Sequence, residues 1–167
     1  MSSHEHRRDA PTSVAVHIVT VSDTRTLETD TSGRLIATLL DEGGHQVVGR
    51  TLLKDEPEDV RHTVAALVSD AFVDVVITTG GTGITARDST FEAIDGLLQK
   101  RLAGFGELFR MLSYQEIGAA AMLSRATAGL TGGTVILALP GSEHAVRLAM
   151  EKLVLPELGH LVREARR

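Results

Sequence analysis

Three glycines and a nearby aspartate form the stretch of this sequence best suited to hold a charged ligand. Gly80, Gly81 and Gly83 follow a short apolar run, and Asp88 comes shortly afterwards. Glycine permits positive φ angles and lets a ligand approach the backbone closely, and clustered N–H groups bind anions, phosphate above all. A carboxylate beside a bound phosphate offers an oxygen ligand to Mg²⁺. The spacing therefore predicts a phosphate–magnesium site rather than a simple anion trap.

Two regular elements must hold this loop in place. Residues 75–77 are β-branched and form a short apolar run, which is typical of a strand buried on both faces. Ser89 and Glu92 fit the Ser-x-x-Glu capping box, so a helix is predicted to begin near Thr90. The loop is therefore predicted to run from the end of a strand into a helix N-terminus, whose N–H groups favour an anion.

Other predicted strands also end in polar turns. Apolar runs predict further strands over 14–21, 45–53 and 134–139. The turns that follow the four strands are 22–25, 54–56, 80–88 and 140–142. In a parallel sheet the carboxyl ends of the strands lie at one edge, where ligands bind. We therefore expect these four turns to build one site.

The aspartates in these turns also have a structural interpretation. Asp23 is of a type that accepts local N–H groups in turns. Asp55 shortly precedes Pro57, which suits the first position of a helix, so its charge also suits a helix N-terminus. The sequence alone leaves both interpretations open.

The order of elements predicts an α/β fold. Helices are predicted over 32–42, from Pro57 onward, over 90–99, around 105–112, over 117–125 and from Ser142 towards the end of the chain. Alternating strands and helices predict a three-layer α/β/α arrangement around a mainly parallel twisted sheet. The glycine-rich stretch 126–133 is expected to supply an antiparallel edge, and Pro156 is expected to kink the last helix.

Composition narrows the domain organisation and the class of function. Residues 1–13, with His4 and His6, are predicted to form a disordered tail, and residues 14–167 a single domain. The 17 basic and 22 acidic residues give a net charge of −5, which argues against a nucleic-acid partner. The absence of cysteine excludes disulfides and thiolate chemistry. No apolar run has the length of a membrane span or the form of a secretory signal, so a cytoplasmic location is expected.

The glycine loop does not match the common nucleotide-binding motifs. A Walker A loop requires a lysine that is missing here. Residues 81–86 match Gly-x-Gly-x-x-Ala, but the predicted helix begins beyond Ser89 and the acidic residue expected farther on is missing. No Gly-x-Ser-x-Gly elbow is present. Carboxylates beside a phosphate loop favour Mg²⁺-dependent transfer from a nucleoside triphosphate, for which a protein supplies positioning and electrostatics.

Several motifs, taken in order, resemble the molybdopterin-binding domain of molybdenum cofactor biosynthesis. The resemblance covers about residues 14–160 and is closer to the B-type, MoaB-like branch than to the Mog branch. The motifs are Val19-Thr20-Val21-Ser22-Asp23, Thr78 to Thr85 with Arg87-Asp88, Gly104 to Ser113, Ser124-Arg125, and Leu139-Pro140-Gly141-Ser142.

This resemblance implies Mg²⁺-dependent adenylyl transfer from ATP to molybdopterin, giving adenylyl-molybdopterin and pyrophosphate. It implies that Asp55 and Asp88 serve in catalysis and metal binding. It assigns molybdopterin and its phosphate to Thr79, Gly80, Gly81, Thr82, Gly83, Ser124 and Arg125, and the nucleotide to Ser22, Asp23, Pro140, Gly141 and Ser142. It also implies a homotrimer or hexamer, with other proteins of the pathway as partners.

Three positions depart from the family pattern and motivate other hypotheses. Ala86 and Phe91 stand where many members have proline, and Glu143-His144 replaces a proline after the last motif. Because some B-type proteins coexist with a Mog-type enzyme, a second hypothesis is a non-catalytic protein that binds or delivers molybdopterin. A third is an oligomeric assembly component whose site no longer functions.

Overall fold

A mixed six-stranded sheet forms the centre of the computed structural model, which describes residues 7–167. The strands are β1 (Ala15–Val21), β2 (Gln46–Leu53), β3 (Val75–Thr79), β4 (Lys100–Arg101), β5 (Thr127–Thr131) and β6 (Thr134–Leu139). Their order across the sheet is β2-β1-β3-β6-β5-β4. The helices are α1 (Thr31–Glu42), α2 (Pro57–Val68), α3 (Thr90–Asp95), α4 (Ala103–Ile117), α5 (Glu143–Ala149) and α6 (Leu155–Ala165).

The four long apolar strands are parallel, as predicted. In register, Val21 of β1 pairs with Leu53 of β2, and Thr79 of β3 pairs with Leu139 of β6. The carboxyl ends of β1, β2, β3 and β6 therefore meet at one edge of the sheet. β5 and β6 form the predicted antiparallel hairpin, and its turn uses Gly132 and Gly133 at φ angles of 56° and 84°.

Alternation along the central strands builds the two halves of the core. Ile18, Ile77 and Leu137 pack on one face, where α1, α4, α5 and α6 cover them. Val19, Val76 and Ile136 pack on the other face, beneath α2 and α3. These residues are fully buried, as period-two side chains of a sheet covered on both faces must be. The three-layer α/β/α prediction is confirmed.

Some element bounds differ from those predicted. α3 ends at Asp95 rather than near Gln99, and residues 96–99 form a turn that leads into the short edge strand β4. Residues predicted as a helix over 117–125 instead form a 3₁₀ segment, Gly118–Leu123. The positive φ of Gly118, 73°, ends α4 before this segment begins.

The last helix is irregular before Pro156. A π-helical segment, Met150–Val154, separates α5 from α6, and Pro156 lies in the first turn of α6. Proline lacks an N–H group and its ring collides with the preceding turn, so the hydrogen-bond pattern must change there. The proline thus interrupts the regular helix at the predicted place.

The beginning of the described chain lies against α6. Arg7 forms an ion pair with Glu157, and the carbonyl of Pro11 faces Gly159, where a Cβ atom would come within 2.2 Å of it. His4 and His6 lie outside the described residues, and the tail and domain boundaries stay predictions. None of the helices within residues 7–167 combines the length and the apolar character needed to cross a membrane.

Candidate functional site

Asp55 is the buried carboxylate at the centre of the strand-end edge. It follows β2 and is only 6% exposed. Its Oδ1 atom accepts hydrogen bonds from the Ser89 hydroxyl at 2.6 Å and the Ser89 N–H at 3.2 Å. Burial raises the pKa of Asp55, the Ser89 hydrogen bonds oppose that rise, and the nearby charges of Asp88 and Asp23 add to it. The site therefore holds a carboxylate whose charge is costly and which a cation would stabilise.

The other oxygen of Asp55 faces the glycine loop. Within residues 7–167, Oδ2 accepts no hydrogen bond, and a Cβ atom on Gly81 would lie 2.6 Å from it and 2.1 Å from Oγ1 of Thr90. Gly81 has a φ of 70°, so glycine is required for conformation as well as for space. The buried Thr90 hydroxyl also has no partner in the described part of the chain. Gly81 thus leaves two polar oxygens open beside the loop.

The loop offers unpaired backbone donors at the same place. No protein acceptor among the described residues pairs with the N–H groups of Gly81, Thr82 or Gly83. The neighbouring Gly80 N–H donates to the Leu139 carbonyl at 3.0 Å and so ties the loop to β6. Successive free N–H groups form an anion-binding concavity. The glycine loop therefore has the donors that its sequence predicts.

The helix N-terminus contributes less than expected. Ser89 stands at the cap of α3, but its hydroxyl donates to Asp55 and makes no capping bond, and Glu92 pairs with Arg125. The Thr90 N–H donates to the Gly81 carbonyl at 3.1 Å. The predicted helix start is correct, but the predicted capping box is not formed. The N–H groups of Ser89 and Thr90 are already used, by Asp55 and by the Gly81 carbonyl. The binding donors therefore come from the loop rather than the helix.

Asp88 is oriented by its own loop. Its Oδ2 atom accepts from the Thr85 N–H at 2.9 Å and from the Thr85 hydroxyl at 2.6 Å. A Cβ atom on Gly83 would lie 2.7 Å from the same oxygen. The structure brings Asp88 close enough to act on the ionisation of Asp55, which agrees with a shared site. Its carboxylate also closes the turn that shapes the loop.

Arg125 fixes the shape of the glycine loop through hydrogen bonds to its backbone carbonyls. Its guanidinium donates to the Gly83 carbonyl at 2.6 and 2.9 Å and to the Asp88 carbonyl at 3.2 Å, and it pairs with Glu92. Its Cζ atom also lies 5.0 Å from the centre of the Phe91 ring. The neighbouring Ser124 lies on the same strand-entry segment, where its hydroxyl accepts from the Ala126 N–H at 3.4 Å. Arg125 thus holds the glycine loop in shape through two backbone carbonyls, and its predicted contact with a phosphate stays a prediction.

An ionic link joins three of the strand-end turns. Arg87 donates to both oxygens of Asp23, at 3.0 and 3.1 Å, and to Glu56 at 2.9 Å. The Arg87 hydrogen bond, followed by one from the Asp55 N–H, lowers the pKa of Asp23. The prediction that Asp23 and Asp55 lie together is met, since the Asp55 N–H donates to Asp23 Oδ1 at 3.1 Å.

A polar cavity of about 370 Å³ opens beside this link, at the ends of β1, β3 and β6. Its lining includes Thr20, Ser22, Arg25, Ser32, Thr79, Gly141 and Ser142. Three short contacts shape it. The Thr79 hydroxyl donates to the Pro140 carbonyl at 2.8 Å, the Ser32 hydroxyl donates to the Gly141 carbonyl at 2.6 Å, and Ser142 caps α5 through the Ala145 N–H. The predicted nucleotide residues Ser22, Gly141 and Ser142 therefore share one cavity.

Sequence reasoning did not select Arg25 and Ser32 as site residues. Arg25 donates to Ser32 at 3.0 Å and is the basic residue of the polar cavity. Buried Asp30 lies 4.0 Å from it. Arg25 belongs to the polar turn after β1, so its position in the sequence could have identified it as a site residue. Ser32 lies in a helix, and only the packing of that helix brings it to the cavity. Within residues 7–167, no group of three or more His, Cys, Asp or Glu residues is arranged to hold a metal by itself.

Comparison with known proteins points to one family. Residues 17–160 match the family described as "Probable molybdopterin binding domain". The molybdenum cofactor biosynthesis protein B of Bacillus cereus is 54% identical, over 100% of this chain and 99% of its own. A crystal structure of a molybdenum cofactor biosynthesis protein B superposes with a TM-score of 0.91 at 55% identity, covering 95% of this chain and 99% of the other. The tungsten cofactor synthesizing protein MoaB from Pyrococcus furiosus has a TM-score of 0.83 at 39% identity, covering 95% and 100%.

Proposed function

The chain belongs to the molybdopterin-binding domain family, and we propose that it acts in molybdenum cofactor biosynthesis by Mg²⁺-dependent adenylyl transfer from ATP to molybdopterin. In this reaction a phosphate oxygen of molybdopterin attacks the α-phosphorus of ATP. The new P–O bond forms as the bond to the β-phosphate oxygen breaks, and adenylyl-molybdopterin and pyrophosphate result. The reaction needs positioning and charge stabilisation more than covalent help from the protein.

One juxtaposition carries this proposal. The unpaired N–H groups of the loop 81–83 stand beside Oδ2 of buried Asp55, which accepts no hydrogen bond from the described chain. The donors suit phosphate oxygens, and the carboxylate suits a cation that phosphate oxygens also bind. A site for a free anion would not place a buried carboxylate there, because two negative charges repel. The pair fits a phosphate bound together with a cation.

The residues present fit Mg²⁺. Magnesium in phosphate-transfer sites is held by one or two carboxylates together with water and substrate phosphates, so Asp55 and Asp88 suffice without a third protein ligand. The open Thr90 hydroxyl and the space that a Cβ on Gly81 would fill lie beside Asp55. When bound, the ion would neutralise charge on the triphosphate.

The other side chains of the site orient the Asp55 carboxylate and the two substrates. Ser89 holds the Asp55 carboxylate in one orientation through Oδ1. The loop donors orient the phosphate of the pterin, and Arg125 keeps that loop in shape through the Gly83 carbonyl. The polar cavity with Arg25, Ser22 and Ser142 is placed to hold the nucleotide. Both substrates would then meet at the edge of the sheet where β1, β3 and β6 end.

The test is direct measurement of transfer. Purified protein is incubated with ATP, MgCl₂ and molybdopterin, and adenylyl-molybdopterin and pyrophosphate are quantified by chromatography. We expect product with the wild-type chain and a fall of roughly 100-fold or more with Asp55→Asn or Asp88→Asn, because even outer partners of a metal site change activity 10–100-fold. Failure of the wild-type protein to form product, while it binds both substrates, would contradict the proposal.

A second function, binding or delivery of molybdopterin without turnover, is favoured by one observation. Both carboxylates nearest the mouth of the site are already engaged, Asp88 by Thr85 and Asp23 by Arg87. If these contacts persist when ligand binds, the described chain leaves a cation one open oxygen on each of two carboxylates, Oδ2 of Asp55 and Oδ1 of Asp88. Isothermal titration separates the two functions, because a delivery protein binds molybdopterin equally with and without MgATP and forms no pyrophosphate.

A further inference from the structure

An apolar cavity of about 550 Å³ opens between α4 and α6, over β5 and β6. Buried Ala128 and Leu137 form its floor, and leucine, phenylalanine and proline side chains form its walls. The walls are Leu102, Phe105, Leu108, Leu153, Pro156 and Leu161. This cavity shares no lining residue with the polar cavity at the strand ends. Cavities of this volume with mainly apolar walls hold small molecules.

Two features of the chain leave this cavity unfilled. The π-helical segment Met150–Val154 interrupts the helix before α6, and its Lys152 and Leu153 lie on the cavity. Such π-helical turns are frequent at functional sites. On the opposite side, Gly104 has no side chain, and a Cβ atom there would meet nothing within 4 Å beyond its own stretch of helix. The cavity therefore has room for a ligand without any movement of the backbone.

Three charged side chains line the cavity, and their charges do not cancel. Arg7 forms an ion pair with Glu157, whose other carboxylate oxygen lies 2.8 Å from Nδ1 of His160. Lys152 is exposed and, among residues 7–167, has no carboxylate oxygen within 4.0 Å. The ammonium group of Lys152 is therefore available to an anion, while the Glu157 carboxylate is already paired.

The lining also restricts the rest of the ligand. Apart from these three charged residues, none of the described residues that line the cavity has a polar side chain. A heterocyclic ligand would leave its ring nitrogens and oxygens without partners there, and burying unpaired polar groups costs free energy. An alkyl chain has no such groups, and its burial against leucine and phenylalanine is favourable.

We propose that this cavity binds a free medium-chain fatty acid, with its alkyl chain against the apolar walls and its carboxylate at the Lys152 ammonium. The ligand takes no part in the adenylyl transfer proposed above, so loss of either function leaves the other unchanged. Lys152 is then the residue that distinguishes the acid from an uncharged chain of the same length.

Isothermal titration of the full-length protein with decanoate and with decanol tests this recognition. We expect decanoate to bind once per chain and more tightly than decanol, which has the same length and no charge. Lys152→Gln should weaken decanoate about fivefold, the upper range for an exposed ion pair, and leave decanol unchanged. Lys100→Gln removes another exposed lysine, on β4 and outside the cavity lining, and should change neither affinity.

Filling the cavity provides a second test that does not depend on charge. Gly104→Leu places an apolar side chain in the open space beside α4, so we expect it to abolish binding of both ligands. It should not lower the melting temperature, because leucine favours a helix more than glycine does. Gly104→Ala is the matched control, since it adds a single methyl group and should retain most of the affinity.

Each outcome decides the assignment. Absence of decanoate binding to the wild-type protein, or binding that survives in Gly104→Leu, would overturn it. Equal weakening of decanoate and decanol by Lys152→Gln would also overturn it, because the charge would then not recognise the carboxylate. A change of assembly mass for Gly104→Leu in light scattering, without decanoate binding to the wild type, would place a second copy of the chain in the cavity instead. Lys152→Gln alters only an exposed side chain and remains decisive if Gly104→Leu fails to fold.

Discussion

Burial is the main cause of the raised pKa of Asp55, the buried carboxylate of the candidate site. Because its pKa is raised in the folded protein, mainly by burial, the folded state holds a proton more tightly than the unfolded state. Stability therefore falls as pH rises from the ordinary aspartate pKa through the raised one, and the cost is complete above it. We predict that Asp55→Asn, which keeps an acceptor for Ser89, stabilises the fold at pH 7 by about 1 kcal/mol while removing turnover.

Thermal unfolding at pH 7 and pH 4 measures this effect. The gain from Asp55→Asn should be largest at pH 7 and shrink at pH 4, where the native aspartate is increasingly protonated. Asp41→Asn, at an exposed position of α1, is the control and should change stability by less than about 0.5 kcal/mol at either pH. A loss of stability for Asp55→Asn at pH 7 would show that its charge supports the fold instead.

Ser89 shows where residue-level prediction stops. Its spacing to Glu92 predicts a capping box, and the helix does begin there, but its hydroxyl turns to Asp55 across the chain. Local spacing predicts where a helix cap lies. It cannot reveal an acceptor from a distant part of the chain, here Asp55, that takes the serine hydroxyl away from the cap. The role of Arg125 could not be predicted for the same reason, because its hydrogen bond to the Gly83 carbonyl joins segments that are distant in the sequence.

Helix α1 depends on a buried carboxylate at its start. Asp30 is 1% exposed, caps α1 through the Gly33 N–H at 2.9 Å, and accepts from Thr20 and Arg50. Burial alone would raise the pKa of Asp30, but these three partners more than offset it and the pKa is lowered. We predict that Asp30→Ala costs roughly 2 kcal/mol or more and displaces Ser32 from the polar cavity.

The pH dependence identifies this contribution. With a lowered pKa in the folded state, the stabilisation is present above the ordinary aspartate pKa and is lost as pH falls through the lowered one. The difference in unfolding free energy between wild type and Asp30→Ala, from urea titrations, should therefore narrow below about pH 4. Thr31→Ala, at the next position, is the control. A pH-independent difference would mean that Asp30 acts through shape alone.

The ionic link at Arg87 controls the loop between β3 and α3. Exposed ion pairs contribute little to global stability, but this one ties the loop to the turns after β1 and β2. We predict that Arg87→Gln leaves the melting temperature almost unchanged and speeds hydrogen exchange of residues 83–88 by several-fold. Arg147→Gln, which removes a helical pair with Glu151, should leave that exchange unchanged. Equal exchange in wild type and Arg87→Gln would contradict this role.

Elements with strong patterns were predicted well, and those without were not. β6 matches its predicted bounds because residues 134–139 are apolar throughout and fully buried. β4 was missed because Lys100 and Arg101 are exposed and charged, with no alternation, and become a strand only through pairing with Leu130 and Gly129 of β5. That the ends of β1, β2, β3 and β6 lie at one edge could be predicted, because parallel strands all have their carboxyl ends on the same side of the sheet. The cavities could not be predicted, since they depend on how helices seat on the sheet.

Within residues 7–167, helix α4 and the 3₁₀ segment carry a group of apolar side chains that are 48–73% exposed. They are Leu108, Met111, Tyr114, Ile117, Met122 and Leu123. Clustered exposed apolar residues mark association surfaces, and the resemblance to the molybdopterin-binding family implies a homotrimer or hexamer. We predict that this surface is buried between copies of the chain, because removing apolar side chains from water favours association.

Light scattering during size-exclusion chromatography tests the assembly. The wild-type chain should elute with the mass of three or six copies, and Tyr114→Glu should reduce that mass by placing a charge in an apolar interface. Phe72→Glu is the matched control, because Phe72 is 83% exposed in the turn before β3, away from α4. A wild-type monomer at micromolar concentration would contradict the assembly, and an unchanged mass for Tyr114→Glu would place the interface elsewhere.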